Sequence, residues 1–214
     1  MDIREYNSKK LPYHFVLFYN LPENKQIAFK KMYQGTEADN AILTYCYLDS
    51  MCGLSYKAIC WAYISEKGKI EYHNAREMTV GLTIREGGLE CDAIVFEEED
   101  MPLFREEAAQ IKDNYGYMKE QTDVNDEVPF DEFRHPSYPK DILVFFFSPD
   151  KKLEKIWVTE IRRKSDGSIA AKVLNEPYNP LMGVHEGDIV SVIGQKVEDG
   201  QIIPIAILPW MQNN

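Results

Sequence analysis

The stretch that decides the fold is IWVTEIRRKSDGSIAAKVL, residues 156–174. Its two ends are rich in β-branched residues and flank an Asp-Gly pair, which between two such runs is a hairpin signal. A three-residue loop ending on this glycine places Ile161 opposite Ala171 and makes one face nearly continuously apolar. A two-residue loop would mix polar and apolar side chains on both faces. The sequence therefore predicts an antiparallel hairpin with a three-residue loop.

Trp157 lies in the first strand of this hairpin, and alternation along the strand places it on the same face as Thr159 and Ile161. Because the predicted register makes this the apolar face, we expect Trp157 to be in the core. Truncation of a buried aromatic side chain typically costs about 3–5 kcal/mol, so Trp157→Ala is expected to be severely destabilising. The same register sets Glu160 opposite Lys172 on the outer face.

The segment after the hairpin, 175–180, reads NEPYNP. It cannot form a regular strand, because proline lacks an N–H donor and favours an extended conformation in the preceding residue. Gly187-Asp188 then turns the chain into a further strand. Asn175 and Asp188 both stand where backbone donors lack strand partners, and buried donors must be satisfied. We therefore predict that Asn175 and Asp188 brace two irregular segments against each other and that neither is catalytic.

Three motifs in this region follow one another in the order found in a known family. They are Trp157-Val158 on a strand, Asn175-x-Pro177 after its hairpin, and Gly187-Asp188-x-Val190 at the start of the next strand. With these motifs, residues 142–193 resemble the YegJ-like family of small bacterial proteins, a domain of unknown function. The resemblance implies no activity. It singles out the following candidate binding or structural positions: Trp157, Asn175, Pro177, Gly187 and Asp188.

The chain is strongly acidic. Its 214 residues include 24 Lys and Arg against 35 Asp and Glu, which gives a formal net charge of −11. Nucleic-acid backbones and anionic lipid surfaces are bound through Lys and Arg, so this balance argues against both as partners. It suits solubility or a basic protein partner. Hydrophobic residues make up 44% of the chain, which is enough for a substantial core.

No targeting or membrane segment is predicted. Residues 1–5 lack the apolar core of a signal peptide, and the longest apolar run, 202–211, contains two prolines and is too short to span a bilayer. The cysteines form no C-x-x-C pair and match no zinc spacing, so reduced thiols are expected for all of them: Cys46, Cys52, Cys60 and Cys91. These features predict a cytoplasmic protein.

Residues 1–121 are predicted to form an α+β unit. Within it, 41–48 is ambiguous, because its tyrosines and threonine favour a strand but Thr36-x-x-Asp39 could equally open a helix. We favour the strand. Two antiparallel hairpins are predicted from face-matched alternation, with these cross-strand pairs: Ala62 with Tyr72 across a turn at 66–68, and Ile84 with Cys91 and Val80 with Val95 across Gly87-Gly88.

A helix is predicted over about 102–118. An apolar stripe runs along it, and Pro102 suits its first turn. The preceding carboxylate run, 97–100, could suggest a metal or catalytic site. Its position explains it more simply, because Asp100 can cap the helix and negative charge favours the amino end of a helix.

Residues 122–140 are acidic and contain three prolines without clear periodicity, which is typical of a linker or long loop. Six consecutive apolar residues, 142–147, predict a fully buried strand. With the hairpin and two later strands, 141–214 is predicted to be an all-β unit of about five short antiparallel strands. It would close as a small SH3-like barrel or remain a curled sheet. The fold class is therefore α+β with largely antiparallel sheets.

The chain contains no known catalytic, nucleotide-binding or metal motif, and no cofactor or metal is predicted. The most enzyme-like group is His185 with Glu186 and Asp188, since a carboxylate–histidine pair can do acid–base work. In a turn, residues of these types more often bond local backbone amides, and we favour that role.

Three classes of function fit the sequence. The first, which we favour, is a non-catalytic protein-binding module, immunity- or antitoxin-like at most, because the chain is small and acidic and has no catalytic motif. The second is an enzyme of unknown reaction with a site near Asn175, His185 and Asp188. The third is a small-ligand sensor that uses aromatic residues of the N-terminal half. These aromatic residues are better explained as core and sheet surface, and they are Tyr45, Tyr47, Tyr56, Trp61, Tyr63 and Tyr72.

Overall fold

The computed structural model describes residues 1–73, 81–85, 87, 90–116 and 129–211. The chain divides into two compact units, Met1–Thr122, called unit 1, and Asp123–Asn214, called unit 2. Each unit is built on one largely antiparallel sheet, and the two described α-helices both belong to unit 1. The predicted fold class, α+β with antiparallel sheets, is confirmed.

Unit 1 contains a sheet of six described strands. These strands are β1 (Phe15–Tyr19), β2 (Ala41–Asp49), β3 (Gly53–Ile64), β4 (Ile70–His73), β5 (Thr83–Arg85) and β6 (Asp92–Phe96). The helices are α1 (Glu23–Met32) and α2 (Arg105–Tyr115). The strand order is β4-β3-β2-β1-β6, and β5 also pairs with β3.

Two local predictions in unit 1 are confirmed. Residues 41–48 lie in β2 and are all buried, so the strand is correct and the helix alternative is wrong. The β3–β4 hairpin pairs Ala62 with Tyr72, as predicted. Both predictions depend on residue type and alternation over a short stretch, which is the information that a local pattern carries.

The predicted hairpin across Gly87-Gly88 is wrong. Strand β5 pairs with β3, which places Ile84 opposite Tyr56, and β6 pairs with β1. Ile84 and Cys91 are both buried, as their alternation predicts. Each strand nevertheless completes its hydrogen bonds with a partner that is distant in sequence, and local face matching cannot detect that partner. Val80, which belongs to the same prediction, lies outside the described residues.

Helix α2 begins later than predicted, because residues 102–104 form a separate 3-10 turn. Asp100 does not cap the helix, since it ends another short 3-10 turn. The apolar stripe is buried as predicted, with Ala108 and Ile111 in the core of unit 1. Residues 117 and 118 of the predicted helix lie outside the described part of the chain.

Unit 2 also contains six described strands. They are β7 (Arg134–His135), β8 (Tyr138–Phe147), β9 (Leu153–Arg163), β10 (Ile169–Val173), β11 (Ile189–Lys196) and β12 (Ile202–Ile207). Each strand pairs with the next one along the chain, and β12 also lies parallel to β8, with Ile205 opposite Phe145. Strands β8 to β12 therefore close into a small five-stranded barrel and do not remain an open curled sheet.

The prediction of a linker or long loop over 122–140 is wrong for residues 134–135 and 138–140, which lie in strands. Phe130 is buried in the barrel core, Arg134 is also buried, and β7 and the start of β8 lie in this stretch. The stretch lacks periodicity because single residues, and not an alternating face, anchor it to the barrel. Residues 122–128 lie outside the described part of the chain.

Strand β8 is not buried on both faces, so that prediction is also wrong. Ile142, Val144 and Phe146 are fully buried in the barrel core. The residues between them, Leu143 and Phe145, are only partly buried. A small barrel has one packed interior, so the other face of each strand points outward.

The β9–β10 hairpin begins with the predicted register, because Arg163 pairs with Ile169. A register shift then places Ala171 opposite Glu160 instead of Ile161. Ile161 is consequently 47% exposed. The predicted apolar face of this strand is therefore wrong.

The inner face of β9 carries Ile156, Val158 and Glu160. Glu160 can be buried because Arg134 meets it inside the unit: Nη2 of Arg134 donates to Oε1 of Glu160 at 3.1 Å. Nη1 of the same guanidinium donates to the Pro139 carbonyl at 2.8 Å. A buried charge needs an opposite charge and hydrogen bonds. The partner of Glu160 is Arg134, which lies in the stretch predicted as a linker or long loop. Alternation within β9 contains no information about Arg134 and therefore predicts the wrong face.

Candidate functional site

Trp157 and Asn175, two of the predicted site residues, are joined by a hydrogen bond. The backbone N–H of Trp157 donates to Oδ1 of Asn175 at 3.0 Å. The N–H of Leu174 donates to the Trp157 carbonyl at 2.9 Å. Asn175, which lies just beyond the end of β10, thus accepts a hydrogen bond from the backbone of β9. As predicted, the Asn175 side chain accepts a bond from a backbone N–H. That N–H belongs to strand β9 and not to an irregular segment.

The carboxylate of Asp188 accepts a backbone hydrogen bond within the turn before β11. Its Oδ2 accepts the N–H of His185 at 2.8 Å. Gly187 has φ of +90°, a conformation that glycine adopts without strain. Asn175 bonds to strand β9 and Asp188 to an amide of its own turn, so these two described hydrogen bonds do not brace the two irregular segments against each other as predicted.

Glu176 provides the brace instead. Its Oε2 accepts the N–H of Glu186 at 2.8 Å, and its Oε1 lies 2.7 Å from Nδ1 of His185. Pro177, the next residue, is buried and fixes the backbone beside it. The sequence gives no signal for this role, because a glutamate in a proline-rich segment is indistinguishable from a solvated carboxylate.

The Glu176–His185 pair could exchange protons in the segment where the enzyme alternative places its site. Hydrogen bonds from the Glu186 N–H and from His185 lower the pKa of Glu176. The bond with Glu176 raises the pKa of His185. The two side chains are 54% and 74% exposed, so water screens the attraction between them. The described contacts of the pair are structural, since they hold the segment after β10 against the turn before β11.

A second carboxylate holds the same irregular segment from β9. The two carboxylate oxygens of Glu154 accept the N–H groups of Tyr178 and Asn179, at 2.9 and 2.8 Å. The side chain of Tyr178 is 96% exposed. A backbone held by Glu154 therefore presents the Tyr178 side chain to solvent.

Trp157 belongs to a group of side chains on the outer face of the barrel, called here the Trp157 cluster: His135, Tyr138, Asp141, Trp157 and Thr159. The His135 ring makes T-shaped contacts with both other rings, at centroid distances of 5.1 Å to Trp157 and 5.3 Å to Tyr138. Asp141 and Thr159 lie opposite each other across β8 and β9. The predicted core position of Trp157 is wrong, because the inner face of β9 is the one that carries Val158.

The protonation chemistry of the Trp157 cluster follows from its contacts. Burial raises the pKa of Asp141, and the neighbouring Thr159 hydroxyl and His135 ring offset this only in part. The N–H of Ser137 lies 3.1 Å from Nδ1 of His135. Because a backbone N–H can only donate, Nδ1 of His135 is the acceptor in this contact.

Unit 1 contains an open, mainly apolar cleft of about 500 Å³, called here the Tyr72 cleft. Its apolar lining includes Tyr72, Phe96, Met101 and Phe104. The rings of Tyr72 and Phe104 pack edge to face with centroids 5.1 Å apart. Leu103 also lines the cleft and is 80% exposed. An apolar concavity with few polar groups is the usual form of a binding site.

Part of the acidic run 97–100 lies at the Tyr72 cleft. Asp100 lines it, and Glu99 is exposed beside Asp100. Glu97 is already engaged, since its Oε2 lies 2.9 Å from Nε2 of His14. Glu99 and Asp100 form no ion pair within the described residues, so their negative charge is available to a partner.

Glu98 has a structural role within the same run. Nζ of Lys112, on α2, donates to its Oε2 at 2.6 Å, and the Tyr45 hydroxyl donates to the other oxygen. Burial opposes ionisation of Glu98, but these hydrogen bonds outweigh it and lower the pKa of Glu98. The acidic run therefore contacts α2 through the ion pair between Glu98 and Lys112, and not through the predicted cap at Asp100.

Asp39 and His73 form a pair that the sequence does not identify. Asp39 is 1% exposed, and its Oδ1 lies 2.7 Å from Nδ1 of His73. Its Oδ2 accepts the N–H and the hydroxyl of Thr36, at 2.7 and 2.9 Å. A buried carboxylate that orients a partly exposed imidazole is an arrangement used in acid–base catalysis. Here it also ties the loop before β2 to β4. The Thr36-x-x-Asp39 signal therefore marks a braced loop and not a helix start.

Other candidate groups are mainly structural. Burial raises the pKa of Cys60 and of Cys91 to about 12, which makes either thiol a weak nucleophile. Most aromatic residues of the sensor hypothesis are buried in unit 1, including Tyr45, Tyr47, Tyr56 and Trp61.

Within the described ranges, no group of three or more His, Cys, Asp and Glu side chains is placed to hold a metal ion. Neither of the described helices, α1 and α2, is long and apolar enough to cross a membrane. Comparisons of the chain with protein-family models, curated proteins and solved structures found no match.

Proposed function

We propose that this protein is a non-catalytic binding module that holds a basic protein segment in the Tyr72 cleft. The observation that carries the proposal is one apolar cleft of about 500 Å³ with available carboxylates at Glu99 and Asp100. The net charge of −11 supports a basic partner, because opposite charge steers association and suppresses wrong partners.

The lining of the Tyr72 cleft defines the chemistry of the partner. An apolar side chain would occupy the space beside Tyr72 and Phe104, where it removes apolar surface from water. A neighbouring Lys or Arg would lie near Asp100. Burial of the apolar group would provide most of the affinity, and the charges would provide selectivity and a fast association rate.

Two labelled synthetic peptides of equal length test the proposal. Both contain a central Leu-Phe pair, which is flanked by Lys and Arg in one peptide and by Glu in the other. By fluorescence anisotropy, the basic peptide should bind at least about tenfold more tightly than the acidic one, and its affinity should fall as salt is added.

Matched variants connect the binding to the Tyr72 cleft. Glu99→Gln with Asp100→Asn removes both available charges, and Leu103→Ser removes exposed apolar surface at the cleft. Both variants should weaken binding of the basic peptide. Glu186→Gln with Glu198→Gln removes the same charge from exposed positions in unit 2 and should leave it unchanged. If the two double variants bind the basic peptide equally well, the Tyr72 cleft is not the site.

We also propose that unit 2 belongs to the YegJ-like family, which the motifs at Trp157, Asn175 and Asp188 support. The four free cysteines, three of them buried, suit a cytoplasmic location. An immunity- or antitoxin-like role would require that the basic segment belongs to a toxin.

A further inference from the structure

Unit 1 contains another concavity, an open cavity of about 430 Å³, which is called here the Tyr19 cavity. Its walls come from the end of β1, from α1 and from residues next to β2 and at the end of β3. The lining residues are Tyr19, Asn20, Leu21, Gln26, Asn40 and Ile64. Small-molecule sites in proteins are roughly 300–1,000 Å³ in volume, so the cavity has the size of a ligand site. Among these described residues, none carries a charged side chain.

Three side-chain amides in the lining are held in fixed orientations by hydrogen bonds. Nδ2 of Asn20 donates to Oδ2 of Asp92 at 2.7 Å. Nε2 of Gln26 donates at 3.0 Å to the backbone carbonyl of the residue before Asn40. Asn40 is held twice, because its Nδ2 donates to the Ile64 carbonyl at 2.9 Å and its Oδ1 accepts the Ile64 N–H at 2.7 Å. The polar groups of the cavity are therefore oriented before any ligand arrives, as a binding site requires.

These side chains retain hydrogen-bonding groups that the described part of the chain does not use. An amide nitrogen carries two hydrogens, and each of the three amides spends one of them on the bonds above. Oδ1 of Asn20, Oε1 of Gln26 and the Tyr19 hydroxyl have no hydrogen-bond partner among the described residues. Burial and the nearby Asp92 carboxylate raise the pKa of Tyr19, so its hydroxyl keeps its proton and can donate.

A mixture of neutral donors and acceptors matches a ligand rich in hydroxyl groups, because each hydroxyl both donates and accepts. An ionised ligand would leave its charge without an opposite charge in this lining, and the net charge of −11 also repels anions. The lining is not wholly polar, since Leu21, Ile64 and the ring of Tyr19 offer apolar surface. A sugar ring has this dual character, with hydroxyl groups on its rim and C–H groups on its faces.

We propose that the Tyr19 cavity binds a neutral sugar ring. The amides of Asn20, Gln26 and Asn40 and the Tyr19 hydroxyl bond its hydroxyl groups, and the apolar part of the lining removes its C–H surface from water. Because the amides are already oriented, little conformational freedom is lost when the sugar binds. The inference is independent of the Tyr72 cleft, since the two concavities share no lining residue.

The direct test is an NMR titration of the full chain with four neutral probes, the methyl glycosides of glucose, galactose, mannose and N-acetylglucosamine. At least one of them should shift the side-chain amide resonances of Asn20, Gln26 and Asn40 in a saturable way. The uronic-acid glycoside of the best-bound ring adds a carboxylate and should bind at least about tenfold more weakly. The proposal is overturned if no neutral probe produces saturable shifts, or if the uronic-acid probe or the peptide unit N-acetyl-alanine methylamide binds as tightly as the best neutral probe.

A pair of matched variants connects the binding to the cavity. Tyr19→Phe removes a hydroxyl that no described residue bonds, so every described hydrogen bond of the fold is kept. It should weaken binding of the best neutral probe by about threefold to tenfold, which is the contribution of one hydrogen bond between neutral groups. Tyr63→Phe removes a hydroxyl from a β3 residue outside the lining and should leave the affinity unchanged. Equal affinity in the two variants would overturn the site.

One further probe distinguishes the source of the sugar. A trisaccharide of the best-bound sugar that binds at least about tenfold more tightly than the methyl glycoside would identify a glycan chain as the ligand. Equal affinity of the two would identify a free monosaccharide. The basic peptide of the Tyr72 cleft should bind Tyr19→Phe as tightly as the unmodified chain, so the two proposals fail separately.

Discussion

The side-chain oxygen of Asn175 accepts the backbone N–H of Trp157 at 3.0 Å, and this bond joins the irregular segment after β10 to strand β9. The donor is partly buried, so water replaces the bond poorly. The two residues lie far apart in sequence but adjacent in the barrel. The bond also fixes the backbone from which the Trp157 side chain points outward.

Replacement of Asn175 tests this bond. Asn175→Ala leaves the Trp157 N–H without its acceptor and should cost about 1–3 kcal/mol in the free energy of unfolding. Asn175→Asp retains an acceptor at the same position and should lose less. Urea denaturation of both variants measures the difference. An equal loss in the two would show that the acceptor atom is not what stabilises this segment.

The Trp157→Ala variant tests the position of the indole. Trp157 is on the outer face of the barrel, whereas Phe146 on β8 is fully buried in the core. Phe146→Ala should therefore cost about 3–5 kcal/mol, and Trp157→Ala should cost clearly less than that. Guanidinium denaturation of both variants compares them directly. If the two variants lost the same unfolding free energy, the indole of Trp157 would have to lie in the core.

The buried Arg134–Glu160 pair should behave as one unit. Arg134→Met leaves the buried Glu160 without its partner and should cost about 3–5 kcal/mol. Glu160→Leu leaves Arg134 its ion pair with Asp131 at 3.2 Å and should cost less. The double variant removes both charges and should be more stable than either single variant. A double-mutant cycle of unfolding free energies measures the coupling. Additive losses would indicate that the two side chains do not depend on each other.

The Glu176–His185 pair should make stability depend on pH. The folded-state pKa of Glu176 lies below its ordinary 4.5, so its contribution is present above that value and is lost as pH falls through the lowered pKa. The folded-state pKa of His185 lies above 6.5, so its contribution is present below that value and is lost as pH rises through the raised pKa. The pair is therefore most stabilising between pH 4.5 and 6.5.

Glu176→Gln should flatten the pH dependence on both sides of this window, because it removes the carboxylate that both shifts require. It should also move the NMR titration of the His185 ring towards 6.5, the ordinary value. Glu186→Gln is the matched control, since Glu186 meets the pair only through its backbone N–H. An unchanged His185 titration in Glu176→Gln would contradict the proposed cause of the shift.

Local sequence predicted the β3–β4 hairpin but not the partners of β5 and β6. The strands that carry Ala62 and Tyr72 are joined by a tight turn, so alternation and turn chemistry define their register within a short stretch. Alternation also identified Ile84 and Cys91 as buried. It did not identify Tyr56 as the residue opposite Ile84, because that choice depends on the energy of the whole sheet.

The candidate sites show the same division between what the local sequence predicts and what the tertiary structure decides. The sequence by itself determined the acidic charge, the antiparallel α+β class and the turn at Gly187, since these follow from composition, alternation and backbone preference. Only the tertiary structure decided that Glu160 faces inward and Trp157 outward, and that Glu176 is the brace. The physical reason is that a charge can be buried when an opposite charge arrives from elsewhere in the chain, as Arg134 does at Glu160, and a local pattern contains no information about that partner.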